Sequence, residues 1–150
     1  MVRNADIKKE FNIFKEGFKL FKSFLPMNDD ENLNMMDDIN NEFRSLKQKY
    51  HNDFCTNYSN MYLNYFKNKE REPEEKVIKT LNDGFIMYKK LLPIHSSVDD
   101  NYWSNVVQEF SNLRLSHDGN FCKDYIKVFM SDFENRARKQ LHQEIEEETR

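Results

Sequence analysis

The sequence predicts an all-α protein of six helices, arranged as two tandem three-helix repeats that pack with pseudo-twofold symmetry. Three observations predict it. Apolar residues recur at steps of three and four, the rhythm of one helix face. Only three Gly and three Pro in 150 residues leave too little turn chemistry for the hairpins of a β fold. The chain also aligns with itself, without a gap, at an offset of 67 residues.

At that offset residues 7–72 meet 74–139 with 16 identities over 66 positions, where unrelated segments of such composition share about four or five. Gly17-Phe18 meets Gly84-Phe85, Leu25-Pro26 meets Leu92-Pro93, Glu42-Phe43 meets Glu109-Phe110, and Phe54-Cys55 meets Phe121-Cys122. A shared helical period explains matched apolar positions but not matched Gly, Pro and Cys. The expected units are residues 1–72 and 73–141, followed by a charged tail over 142–150. A three-helix unit this small buries a limited share of its surface, so the two copies are expected to complete one core rich in Phe.

The first helix, over 5–25, carries Ile7, Phe11, Phe14, Phe18, Phe21 and Leu25 as one stripe. Pro26 ends it, because a residue before proline is pushed out of the α region. The second, over 33–50, carries Met36, Ile39, Phe43 and Leu46. No Gly or Pro marks its end, but the second copy breaks at Ser116-His117-Asp118-Gly119-Asn120, so the register places a turn at Tyr50-His51-Asn52-Asp53. Asp53 and Asn120 then become helix N-caps. The third helix runs over 54–71, and its counterparts over 74–92, 100–115 and 121–141, with Ser96, Ser97, Asp99 and Asp100 supplying acceptors for the fifth start. Phe18, Phe43, Leu46, Phe54 and their mates Phe85, Phe110, Leu113 and Phe121 are the expected core, and the Glu-rich tail is expected to be solvated or frayed.

A net charge of -3 disfavours non-specific nucleic-acid binding, which rests on a basic excess. The longest apolar runs are too short to span a membrane, and the polar N-terminus is unlike a signal peptide. With two Cys the chain has no disulfide framework, so a cytoplasmic protein with reduced thiols is expected. The four His lack the spacing of a zinc site, and those at 51 and 117 read as solvated turn residues. Cys55 and Cys122 read as small buried residues at helix contacts. Paired acids cluster near helix starts, where they offset the dipole, and Glu42 and Glu109 read as partners of Lys47 and Arg114 on their own helices. Phosphate loops, nucleophile elbows and the Glu-x-x-Glu sets of helical phosphohydrolases are absent. No catalytic, metal or cofactor site is therefore expected, and the chain is not expected to be an enzyme.

What remains is surface. Both third helices end basic, with Lys67, Lys69 and Arg71 in one copy and Arg136, Arg138 and Lys139 in the other, beside Tyr62, Tyr65 and Phe129. Such cations satisfy the dipole, and they also offer a paired grip on phosphate or an acidic partner. The expected function is a non-enzymatic protein–protein interaction module. Richness in Lys, Asn and Phe suggests an AT-rich coding sequence, and the size suits a regulator or inhibitor of a small phage or mobile element. Two alternatives stand beside it: a nucleic-acid-binding protein using the paired basic ends, and an acidic nucleic-acid mimic presenting Asp29, Asp30, Glu31, Asp37 and Asp38.

Overall fold

A computed structural model describes residues 4–26 and 29–149, and the side chains of 4–7, 29–34 and 149 lie outside that description. Six α-helices form among the described residues, and no strands: α1 Asn4–Ser23, α2 Asp29–Tyr50, α3 Asp53–Lys67, α4 Glu74–Lys90, α5 Asp100–Ser116 and α6 Asn120–Thr149. α1 and α4 stop two residues before Leu25-Pro26 and Leu92-Pro93, whose peptide bonds are both cis.

The break between α2 and α3 falls at the expected place but is built differently. His51 takes a left-handed conformation, φ 47°, and its N–H bonds the Lys47 carbonyl at 3.0 Å, closing α2. The chain re-enters helix at once, so the cap is Asn52 rather than Asp53, its Oδ1 accepting from the Cys55 N–H at 2.7 Å. At α6 Asn120 is already helical, and the cap comes from outside the turn. The Glu72 carboxylate accepts the Phe121 N–H at 2.8 Å, and a Cβ on Gly119 would collide with that carboxylate. α5 is capped by Asp99, as the pattern predicts. α6 continues past residue 141 because 140–149 hold neither Gly nor Pro and mostly strong helix formers. The tail is therefore helical, though largely exposed.

α3 and α6 lie antiparallel at the centre. Tyr58 meets Tyr125 at 6.5 Å between ring centroids, while Tyr62 and Tyr65 reach the start of α6 at Phe121. α1 and α2 pack on α3, and α4 and α5 pack on α6. Phe14 joins the halves, 4.9 Å from Phe85, 5.1 Å from Tyr88 and 5.8 Å from Phe129.

Several contacts recur 67 residues apart. The Tyr58 hydroxyl donates to the Phe14 carbonyl at 3.2 Å, and the Tyr125 hydroxyl to the Leu81 carbonyl at 3.1 Å. Cys55 and Cys122 lie on the carbonyls of Leu46 and Leu113. Gly17 and Gly84 let those tyrosine rings close onto α1 and α4, where a Cβ would overlap the ring. That steric demand accounts for the matched glycines. Phe43, Leu46, Phe54, Phe110, Leu113 and Phe121 are buried as expected. Phe18 and Phe85 are only partly buried, and each ring carries a lysine on its outer side: Lys22 at 4.4 Å and Lys89 at 4.7 Å from the centroid.

Candidate functional site

A groove of about 610 Å³ opens where α1 passes the start of α3 and the later turns of α6. Glu10, Asp132 and Arg136 line its floor, and Lys9, Arg138 and Lys139 its rim. Arg136 binds both acids. Its Nη2 lies 2.8 Å from Glu10 Oε1, and its Nε lies 3.1 Å from each Asp132 oxygen. The Tyr88 hydroxyl donates to Asp132 at 3.4 Å, and the Asn52 amide to Glu10 at 3.4 Å.

Glu10 and Asp132 are 4% and 7% exposed, so this cluster lies in the body of the protein. Burial pushes the Asp132 carboxyl above its ordinary range, against the opposing pull of Arg136. A buried ion set of this kind survives only when its charges face one another.

Of the residues singled out by sequence, Arg136 is therefore an internal tie, while Arg138 and Lys139 stand exposed on the rim. Lys67, Lys69 and Arg71 lie at the other end of the α3–α6 pair. Lys67 closes α3 and Lys69 is exposed. Arg71 folds back onto the helix terminus, its Nη1 3.1 Å from the Asn68 carbonyl and 3.5 Å from that of Phe66. The six cations thus do not converge. Tyr62, Tyr65 and Phe129 present no exposed ring beside them, because all three are buried. The Tyr65 hydroxyl instead donates to the Glu72 carbonyl at 2.8 Å.

The other polar expectations fall similarly. Glu109 pairs across helices with Lys90 at 3.0 Å, and Arg114 turns to the carbonyls of His117 and Gly119. Lys47 reaches Asn60. His117 is buried against Asp83 at 2.8 Å rather than solvated. Both thiols are buried and unbonded, and burial pushes both above the ordinary thiol range, against nucleophilic use. Among the described residues no group of three His, Cys, Asp or Glu is placed to hold a metal, and no helix is long and apolar enough to cross a membrane. The side chains of Asp29, Asp30 and Glu31 lie outside the described residues, and Asp37 and Asp38 are exposed on α2.

A second groove, about 440 Å³, runs between α5 and α6 and is lined by Trp103, Val106, Val107, Phe110, Met130 and Phe133, with Arg138 at its border. Arg138 thus touches both the polar and the apolar groove. Sequence reasoning missed Glu10 and Asp132, though the register carried a signal. Their matched positions hold Val77 and Tyr65, so each is an acid where the other half buries an apolar or aromatic side chain.

Comparison with known proteins finds no matching family model, no matching curated protein and no matching solved structure.

Proposed function

We propose that the chain is an internally duplicated, non-enzymatic protein-interaction module of the cytoplasm, whose polar groove holds an acidic segment of its partner. One observation carries this reading. Arg138 and Lys139 stand on an open rim with Lys9, whereas the residues 67 positions away are used inside the fold. Arg71 caps α3, Glu72 caps α6, and Lys76 pairs with Asp118 at 3.1 Å and Glu72 at 3.5 Å. The groove's four cations, Lys9, Arg136, Arg138 and Lys139, exceed its three acids, Glu10, Asp53 and Asp132, and this small positive balance, exposed on the rim, favours a carboxylate-bearing guest.

Support for the duplication comes from the recurring contacts and from the crossing of α3 and α6. The groove there is lined by Asn57 with Asp124, Asn60 with Lys127, Met61 with Val128 and Asn64 with Ser131, each pair 67 residues apart. A twofold axis through the Tyr58–Tyr125 contact generates that pairing. A regulator or inhibitor of another protein fits this architecture.

Zero-length carbodiimide cross-linking in source-cell lysate tests the reading, since it joins an amine to a carboxylate only in direct contact. Cross-links to a partner protein should map to Lys9 and Lys139. Cross-links confined to Lys67 and Lys69 would overturn it. So would binding to generic DNA whose affinity falls steeply with salt, the mark of phosphate contacts.

A further inference from the structure

α6 is the wall between two grooves of opposite character. Its residues Asp132, Arg136 and Lys139 line the polar groove, Phe133 and Ala137 line the apolar groove shared with α5, and Arg138 lines both. The matched region of the first half is built otherwise. α3 stops at Lys67, and Arg71 turns back onto the helix end. α6 runs on without a break, so Arg138, at the matched register, is carried outward on a helix and stands exposed. The apolar groove also reflects a difference between the halves. Leu63 is 7% exposed and its counterpart Met130 is 44% exposed, and α2 packs more closely along α3 than α5 does along α6. Val107, at the place of Asn40, adds a side chain that is 63% exposed to the groove's rim.

Exposed apolar side chains lining a cleft with charge at its edge are the composition of an interface core and its rim. The charges say what fits. Glu134 and Arg138, one turn apart, both border the apolar groove. Of the two, Arg138 also borders the polar groove, where exposed Lys9 and Lys139 accompany it. The acids of a guest are therefore drawn over Arg138 to the polar rim and repelled by Glu134, which sets the direction in which the guest lies. Three exposed cations on two helices also match several carboxylates along a chain better than the single carboxylate of a lipid. The span between the grooves is the width of α6. A helix with its side chains is about 10–12 Å across. An extended segment advances about 3.3 Å per residue, so roughly three or four residues bridge the two grooves.

Resting on the reading of the polar groove as the receiver of an acidic segment, we infer that the partner segment has two parts. A large apolar side chain enters the α5–α6 groove against Trp103, Phe110 and Phe133. About three or four residues along the same segment, two or more carboxylates meet Lys9, Arg138 and Lys139.

Trp103 is the one tryptophan of the chain, so its emission reports on the apolar groove. Trp-free random peptides selected on the full chain should converge on a large apolar residue with acids at that spacing. Titration with the labelled consensus peptide should shift Trp103 emission. Val107→Glu, on the apolar rim, and Lys139→Glu, on the polar rim, should each weaken binding at least about tenfold with helicity unchanged. Replacing the peptide's apolar residue by Gly should do the same with the protein unaltered. Leu115→Glu, exposed on α5 outside the groove, should leave binding intact. Binding that falls with Lys139→Glu but is indifferent to Val107→Glu and to the peptide's apolar residue overturns this inference and leaves the polar-groove reading standing. Binding that falls with Val107→Glu alone overturns both, as does a selection that returns peptides without acids or no binder. Dimerisation of the free chain that Val107→Glu abolishes would give the apolar groove to a second copy and overturn the inference.

Discussion

The two ends of the α3–α6 pair are framed by the same tyrosine-on-glycine contacts but filled with opposite chemistry. Where α3 begins and the middle turns of α6 pass it, Glu10, Asp132, Arg136 and Tyr88 make a buried ionic cluster under an open groove. Where α3 ends and α6 begins, the matched residues are Val77, Tyr65, Lys69 and Phe21. Val77 is buried, Tyr65 meets Phe21 edge-on at 5.6 Å, and Lys69 points to solvent. That end is closed by Glu72, whose counterpart at the open end is Lys139. The lesson is a division of labour. Aromatic and backbone contacts that recur in both halves hold the fold, while the residues that differ leave one end closed and the other open as a groove.

The comparison can be pressed hardest through the core. Phe43→Ala and Phe110→Ala should each cost about 3–5 kcal/mol in chemical denaturation. Phe43, fully enclosed, should lie at the upper end, since Phe110 borders the α5–α6 groove. Equal losses would mean that the two halves are packed alike.

The ionic end is broken by Arg136→Met, which takes from two buried acids the cation they share and should cost about 3–5 kcal/mol near neutral pH. Lys69→Met, at the matched exposed position, should melt with wild type. The loss in Arg136→Met should shrink on acidification, as the acids take up protons. In the wild type, the folded-state value of Asp132 lies above its ordinary 3.8. Its own titration therefore favours the fold below that value, and this contribution disappears as pH rises through the raised value. Denaturation of both proteins across pH 4–7, a window chosen around that shift, reads the difference. A pH-independent gap would remove the cluster from the account.

Smaller effects sharpen the shared frame. Gly17→Ala and Gly84→Ala each force a methyl onto a buried tyrosine ring and should cost about 1–3 kcal/mol by thermal melting. A neutral outcome at either site would show that its ring can move. Glu72→Ala uncaps α6 and should cost about 1 kcal/mol, while Lys139→Ala, at the matched open end, should leave the melting temperature unchanged.

Much of the fold is legible in the sequence because helix stripes and their stop signals are local, and because the second half marks a break at Ser116–Asn120 that residues 50–53, at the matched register, conceal. The errors lie where a distant residue intervenes. Asp53 and Asn120 look like caps, but α3 starts one residue sooner with Asn52 as its cap, and Glu72 arrives from across the molecule. Phe18 and Phe85 look like core, but lysines one turn on cover their outer faces. The site is legible only in part. Arg138 and Lys139 stand out as a basic cluster, but α6 runs on to Thr149, so they and Arg136 sit inside the helix and not at its end as expected. The burial of Arg136 depends on Glu10 and Asp132, which α1 and α6 bring to it. Pairwise inspection of the register, acid against valine and acid against tyrosine, is the local signal that exposes them.

Reversing the charge at the two matched arginines tests the division between scaffold and receiving end most directly. Arg71→Glu and Arg138→Glu are compared for melting temperature and for the yield of partner cross-linked in lysate. Arg71→Glu should lower the melting temperature by removing contacts to the Phe66 and Asn68 carbonyls, at a cost of about 1 kcal/mol or less, and leave capture intact. Arg138→Glu should melt with wild type and lose capture at least about tenfold. Equal loss of capture in both variants, or full capture by Arg138→Glu, would contradict the account.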